Sequence, residues 1–190
     1  MHTIVTGVAG FVGSSLAERL LADGHTVIGI DSFTPYYARE MKEHNLAGLR
    51  GQPGFTFIED DLNALDLAVL LAGAEVIAHQ AAQAGVLASW GTTFQSYVDA
   101  NISATQRLLE AARNLPSLRR FVYASSSSVY GNTPDLPARE TGQTAPVSPY
   151  GVTKLAGEHL CRLYAANFGL PTVSLRYFTV YGPRQRPDMG

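Results

Sequence analysis

The chain has one cysteine, two lysines and no unbroken run of 18 apolar residues in 190 positions. A single cysteine excludes an internal disulfide, and the helical pattern around Cys161 makes it a packing residue. Without a long apolar run, no membrane-spanning helix is expected. The N-terminus lacks a charged leader region and glycines break its apolar start, so it does not read as a signal peptide. The five histidines, at 2, 25, 44, 79 and 159, lack ligand spacing, and no metal site is expected. Net charge is only −2 and basic runs are short, so neither nucleic acid nor a membrane surface is an expected partner. Arg119-Arg120 reads as the solvated approach to a strand. These absences together fit a reducing cytoplasm.

What is present is enough apolar material for a core. Hydrophobic residues make up 46% and charged residues 16%, in a length that suits one domain. Short β-rich runs alternate with helical patterns from end to end. Strands are predicted at 2–7, 26–31, 55–60, 74–82 (running into a loop), 119–126 and 171–178. Helices are predicted at 14–25, 38–49, 62–73, 94–114 and 148–169. Ser148 suits the N-cap of the last helix and Pro149 its first position. Continuous apolar strands alternating with helices imply a doubly wound α/β fold: a parallel Rossmann sheet in the order 3-2-1-4-5-6. No repeat, low-complexity tract or linker divides the 190 residues, which read as one nucleotide-binding domain. The sequence stops in a polar loop just after a strand, and something is expected to be missing downstream.

The first strand runs into TGVAGFVGSSL, with Gly7, Gly10 and Gly13 spaced three apart. In this spacing Gly7 permits a tight turn, Gly10 lets a pyrophosphate approach the backbone, and Gly13 lets the helix pack on the strand. The helix N-terminus then turns free N–H groups toward the phosphates. A plain strand–helix turn is the alternative. Asp31, closing the second strand, can accept hydrogen bonds from ribose hydroxyls and would repel a 2′-phosphate, which favours NAD over NADP. A simple turn-initiating Asp-Ser is the other reading. Asp61, after the third strand, could receive an adenine amino group in the same manner.

SPYGVTKLAGE (148–158) places one of the two lysines, Lys154, four residues after Tyr150 on one helical face. An ammonium near a phenol favours tyrosinate and would lower its pKa, making Tyr150 a general base for an alcohol proton. A solvent-facing lysine beside a packed tyrosine is the alternative. The fifth strand ends in four hydroxyls, Ser125 to Ser128, where ligands bind in such sheets. A serine-rich turn capping the sheet would look the same in isolation.

Taken together, these residues resemble the extended short-chain dehydrogenase/reductase family, in its NAD-dependent nucleotide-sugar epimerase/dehydratase branch. The motifs that carry the resemblance are TGVAGFVG, Asp31, DDL (60–62), HQAAQAGV (79–86), Asn101, SSSSVYG, YGVTK and RYFTVYGPRQRPDM (176–189). The resemblance implies that Phe11 and Val12 present backbone to the pyrophosphate. It implies that Asp31 and Ser32 hold the adenosine ribose, and Asp61 and Leu62 the adenine. Gln80, Ala81, Ala82 and Gln83 would line the middle of the cofactor, with Asn101 in support and Phe178 near the nicotinamide. Ser126 matches the catalytic Ser/Thr, with Tyr150 as base and Lys154 as its partner. Ser127, Ser128 and Thr179 would face the sugar, and Arg184 and Arg186 could approach its diphosphate.

Relatives that dehydrate a sugar carry an Asp-Glu pair where this chain has Ser127 and Ser128. The implied reaction is therefore 4-epimerisation of a UDP-sugar, UDP-glucuronate or UDP-glucose/galactose, through a 4-keto intermediate. Alternatives are another nucleotide-sugar oxidoreductase and a non-catalytic NAD-binding module. Leu87 stands where close relatives often carry Arg, a departure that bears on an acidic sugar. The resemblance also implies that the part missing downstream is a smaller C-terminal substrate domain, and it implies a homodimer through the helices 94–114 and 150–168.

Overall fold

A computed structural model describes residues 1–186; residues 187–190, which include the end of the 176–189 motif, lie outside the described residues. Six parallel strands form one sheet: β1 (His2–Thr6), β2 (Thr26–Asp31), β3 (Phe55–Glu59), β4 (Val76–His79), β5 (Arg120–Ser126) and β6 (Thr172–Tyr177). Their order is β3-β2-β1-β4-β5-β6, the one predicted. The order reverses between β1 and β4, so a crevice opens beyond their C-terminal ends. Register puts Thr6 beside both Ile30 and His79, and His79 beside Tyr123, so the strand ends that border this crevice lie level.

Helices cover the sheet from two sides. α1 (Phe11–Ala22) and α2 (Arg39–Ala47) bury Ala17 and Leu46 with Val5, Val27 and Ala78 of the strands. On the opposite face, α5 (Ala104–Ala112) and α6 (Pro149–Phe168) bury Leu108, Leu109 and Tyr164 against Ile4, Ile77, Phe121 and Tyr123. Cys161 is buried in that second layer, where burial pushes its thiol up to about 12, in keeping with a packing role. Ser148 caps α6 by accepting from the Gly151 N–H at 3.1 Å, Pro149 opens it, and Gly169 closes it with φ +68°. No helix among the described residues is long and apolar enough to cross a membrane.

Three predicted elements come out shorter or divided. The helix predicted at 62–73 is a single turn, α3 (Leu67–Leu70). The Asp61 carboxylate accepts from the Asn63 N–H and folds 61–65 into a turn; Asp66 then restarts the helix by accepting from Ala68 and Val69. The strand predicted at 74–82 is paired only over β4, because 80–83 leave the sheet to border the crevice. The long helix predicted at 94–114 is α4 (Phe94–Val98), a π-helical turn (Asp99–Ser103) and α5 in succession.

Candidate active site

The glycine loop follows from close approach. Gly7 has φ +69°, and a Cβ there would lie 2.7–2.9 Å from the backbone of Gln80 and Ala81. A Cβ on Gly13 would overlap the Gly7 carbonyl, so α1 packs directly on the loop. α1 starts at Phe11 with no side-chain cap and no acidic residue in its first turn. Its first N–H groups are thus left for an anion. Val12 sits in that first turn, half-buried.

A crevice of about 380 Å³ lies at the switch point. Gly7, Gly10, Phe11, Asp31, Ser32, Asp61, Leu62 and Gln80 to Gln83 all line it; Val12 and Gly13 do not. Asp31 is fixed at its mouth. One carboxylate oxygen accepts from the Ala9 N–H at 3.1 Å, the other from the Phe33 N–H at 2.9 Å. Each oxygen keeps a lone pair for a hydroxyl donor. Glycines tight against backbone, an uncapped helix and a rim carboxylate suit a dinucleotide's pyrophosphate and ribose.

Asn101 does not line the crevice; it holds the wall. It sits in the π turn, buried, with its Oδ1 accepting from the Gln83 N–H at 2.8 Å. Its Nδ2 donates to the Gln83 carbonyl at 3.0 Å and to Thr153 Oγ1 at 3.0 Å. Thr153 in turn donates to the Tyr150 carbonyl at 2.8 Å. One amide therefore ties the 80–83 segment to the helix that carries Tyr150 and Lys154.

Ser126, Tyr150 and Lys154 come together at the C-terminal end of β5, and none of the three lines the crevice. Ser126 Oγ accepts from the Ser128 N–H at 3.1 Å, capping the short turn 127–129 that contains Ser127 and Ser128. Lys154 is buried, and its Nζ donates to the Ala124 carbonyl at 2.9 Å, 6.0 Å from the centre of the Tyr150 ring. The electrostatic expectation is reversed here. Burial pushes the Tyr150 phenol up, and it is the Ser126 hydroxyl, not Lys154, that pulls the other way. Burial likewise pushes Lys154 down to about 7. Both groups are removed from water, and the ammonium is turned toward a carbonyl.

Phe178 and Thr179 are exposed in the loop after β6; Phe178 lies 6.3 Å from the Tyr130 ring and neither lines the crevice. Leu87 is exposed too. Arg184 is engaged elsewhere than expected: it pairs with Glu18 of α1 at 2.5 Å. Arg186 lines the crevice, its guanidinium 4.7 Å from the Tyr36 ring centre and 5.0 Å from that of Tyr37.

Three site residues escaped sequence reasoning. Tyr97 donates to the Ala84 and Gly85 carbonyls (3.0 and 2.9 Å) and meets Tyr150 edge-on at 6.3 Å. His79 bridges Thr6 Oγ1 (2.8 Å, through Nδ1) and Thr105 Oγ1 (2.9 Å, through Nε2). Thr105 gives its own proton to the Asn101 carbonyl, so it accepts from a protonated Nε2; Thr6 then donates to Nδ1 and accepts from the Ala81 N–H. Burial, then Lys154, holds His79 down at about 3, a neutral ring in that tautomer. Lys42 lines the crevice 3.7 Å from Asp31. Its signal was rarity, since the chain has only two lysines.

A parallel sheet of this order, with a glycine loop at the switch point and Ser, Tyr and Lys at the end of β5, defines a dinucleotide-binding domain of the short-chain dehydrogenase/reductase class. Within that class the chain belongs to the NAD dependent epimerase/dehydratase family, whose model matches residues 3–190. It is 53% identical over 190 residues to the uncharacterized UDP-glucose epimerase YtcB of Bacillus subtilis, covering all of this chain and 60% of that protein. It is 42% identical to the UDP-glucose 4-epimerase of Mycolicibacterium smegmatis, covering 98% of this chain and 58% of that protein. Among solved structures, the UDP-glucuronic acid 4-epimerase of Bacillus cereus, in complex with UDP-glucuronic acid and NAD, superimposes with a TM-score of 0.96 at 48% identity. That match covers all of this chain and 60% of the other. The chain thus spans about 60% of the length of the first relatives it matches.

Proposed function

We propose that residues 1–190 are the cofactor-binding domain of an NAD-dependent UDP-sugar 4-epimerase acting on UDP-glucuronate or on UDP-glucose and UDP-galactose. The observation that carries the reading is the convergence of Ser126, Tyr150 and Lys154 at the end of β5, with the Asn101 amide fastening their helix to the wall of the dinucleotide crevice. Bound NAD supplies a hydride acceptor and donor at the sugar C4. Tyr150 takes the proton of the 4-hydroxyl, with the Ser126 hydroxyl sharing it, and returns it to the alkoxide of the epimer. Lys154 sits behind the phenol as a donor able to grip a ribose hydroxyl. Gly7, Gly10, Phe11, Val12 and Gly13 receive the pyrophosphate, Asp31 and Ser32 the ribose, and Asp61 and Leu62 the adenine. Gln80, Ala81, Ala82 and Gln83 line the middle, and Phe178 would stand near the nicotinamide. Ser127, Ser128 and Thr179 face the sugar.

The test is to supply UDP-glucose, UDP-glucuronate and UDP-galacturonate with NAD and follow interconversion by NMR. Interconversion of one pair without net NADH supports the epimerase. Net NADH release points to a different oxidoreductase on the same fold. The second reading is a non-catalytic NAD-binding module; NAD binding with no sugar turnover by this chain is its signature. We also place the protein in a reducing cytoplasm, as a homodimer through α4, α5 and α6.

A further inference from the structure

Three of the four hydroxyls at the end of β5, Ser126 to Ser128, have a place in the proposed site; Ser125 has none. Ser125 is buried, and its Oγ donates to Oε1 of Glu158, on α6, at 2.5 Å. The Glu158 side chain is only 8% exposed, so its charge needs partners. Arg176 of β6 supplies them, donating from Nε to Oε1 at 2.9 Å and from Nη2 to Oε2 at 2.8 Å. Arg176 is also the register partner of Ser125 across β5 and β6, so the two side chains leave the same face of the sheet. The two-pronged guanidinium thus aims the carboxylate at the strand.

This contact is one of three that join β5 to α6. The Ala124 carbonyl accepts from Lys154 Nζ at 2.9 Å, Ser125 is bonded to Glu158, and the Ser126 hydroxyl acts on the Tyr150 phenol. Three consecutive strand residues therefore meet three helix residues spaced one turn apart. Gly157 lets helix and strand come so close, since a Cβ there would overlap the Tyr123 hydroxyl. Arg176 extends the hold to the far side of the site. Its guanidinium lies 4.7 Å from the centre of the Tyr130 ring, and Nη1 donates to the Glu140 carbonyl at 3.2 Å. Tyr130 in turn closes the turn of Ser127 and Ser128, its N–H donating to the Ser127 carbonyl at 3.0 Å.

We propose that Ser125, Glu158 and Arg176 are positioning residues, a buried clamp that sets the spacing between Ser126 on β5 and Tyr150 on α6. Without it the last residue of β5 is free to shift against the helix, and a hydroxyl–phenol contact weakens steeply with distance and angle. An ion pair that only stiffened the domain would change its melting temperature and leave the phenol alone. The role of Tyr150 as base rests on the epimerase reading above, whereas the clamp is tested on the phenol itself.

The experiment labels the tyrosines of the chain with carbon-13 at Cζ and follows the Tyr150 resonance by NMR, assigned by its loss in Tyr150→Phe. Ser126→Ala gives the displacement that accompanies loss of the Ser126 hydroxyl. Ser125→Ala should displace the resonance in the same direction, although its own hydroxyl is bonded to Glu158. In the Ser126→Ala background it should add nothing, because it acts through that hydroxyl. Glu158→Asp keeps the charge and shortens its reach, and should act as Ser125→Ala does. With NAD and the sugar, Ser125→Ala should lower kcat about tenfold, with KM and NAD affinity unchanged. A resonance unmoved by Ser125→Ala, or moved equally with and without Ser126, overturns the clamp, as does turnover at an unchanged kcat. If Ser125→Ala does not fold, Glu158→Asp decides by the same criteria. A moved resonance in a chain that turns over no sugar refutes the epimerase reading and supports the clamp; sugar turnover with an unmoved resonance refutes the clamp alone.

Discussion

At the scale of residues, Tyr150 and Lys154 were legible because their spacing is a helix period and lysine is rare in this chain. Their electrostatics were not legible, because burial is a property of the surroundings and not of the spacing. The phenol is raised and the ammonium lowered by the same loss of water. Two predictions belong here. Tyr150→Phe should lower epimerisation by about 10²–10⁴-fold if the phenol is the base, with NAD affinity nearly unchanged; equal turnover would remove Tyr150 from that role. The second concerns pH. Lys154 titrates near 7 in the folded chain and near its ordinary 10.5 when unfolded. Between those values the unfolded state binds more protons, so this group makes folding less favourable as pH falls from 10.5 to 7, and adds no further change below. Lys154→Met removes that burden. Its melting temperature relative to the unmodified chain should be highest near pH 7 and below, and the advantage should shrink toward pH 10. A difference independent of pH would show that the lysine is not desolvated as described.

At the scale of elements, the sheet order and the glycine loop were readable because strand–helix alternation permits few topologies. Helix ends and interruptions were harder. The single turn α3 replaces a predicted 12-residue helix because two aspartates, Asp61 and Asp66, bind nearby backbone N–H groups and reset the chain. The π turn between α4 and α5 has no signature in the pattern of apolar residues. Its effect is to set Asn101 against Gln83 and Thr153, and such turns recur at functional sites. Asn101→Ala would leave the Gln83 N–H and carbonyl without these partners, at about 1–3 kcal/mol for each group. The expected result is a lower melting temperature together with NAD affinity reduced several-fold. Loss of stability with unaltered NAD affinity would make Asn101 a core residue and nothing more.

At the scale of the molecule, what lies beyond one chain was the least legible, since an apolar helix face reads the same whether its cover is internal or external. The structure separates the two cases along α6. Residues Gly157, Cys161 and Tyr164 are buried against the sheet side, whereas Val152 and Leu163 are 50% and 56% exposed. Ala156 and His159 lie between those two along one stripe, at i, i+4, i+7 and i+11. Phe168 at the end of the helix is 54% exposed, with Arg113 5.1 Å from its ring centre. Val152 and Leu163, two apolar side chains left to water at either end of this stripe, suit a second copy laid against it, as in the proposed homodimer. Sedimentation of the chain at micromolar concentration should give twice its 20.4 kDa mass. Leu163→Glu should shift it to monomer without changing NAD affinity, because Leu163 does not line the crevice. A monomer before any substitution would rule out this interface. A dimer that survives both Leu163→Glu and Val152→Glu would move the contact away from α6.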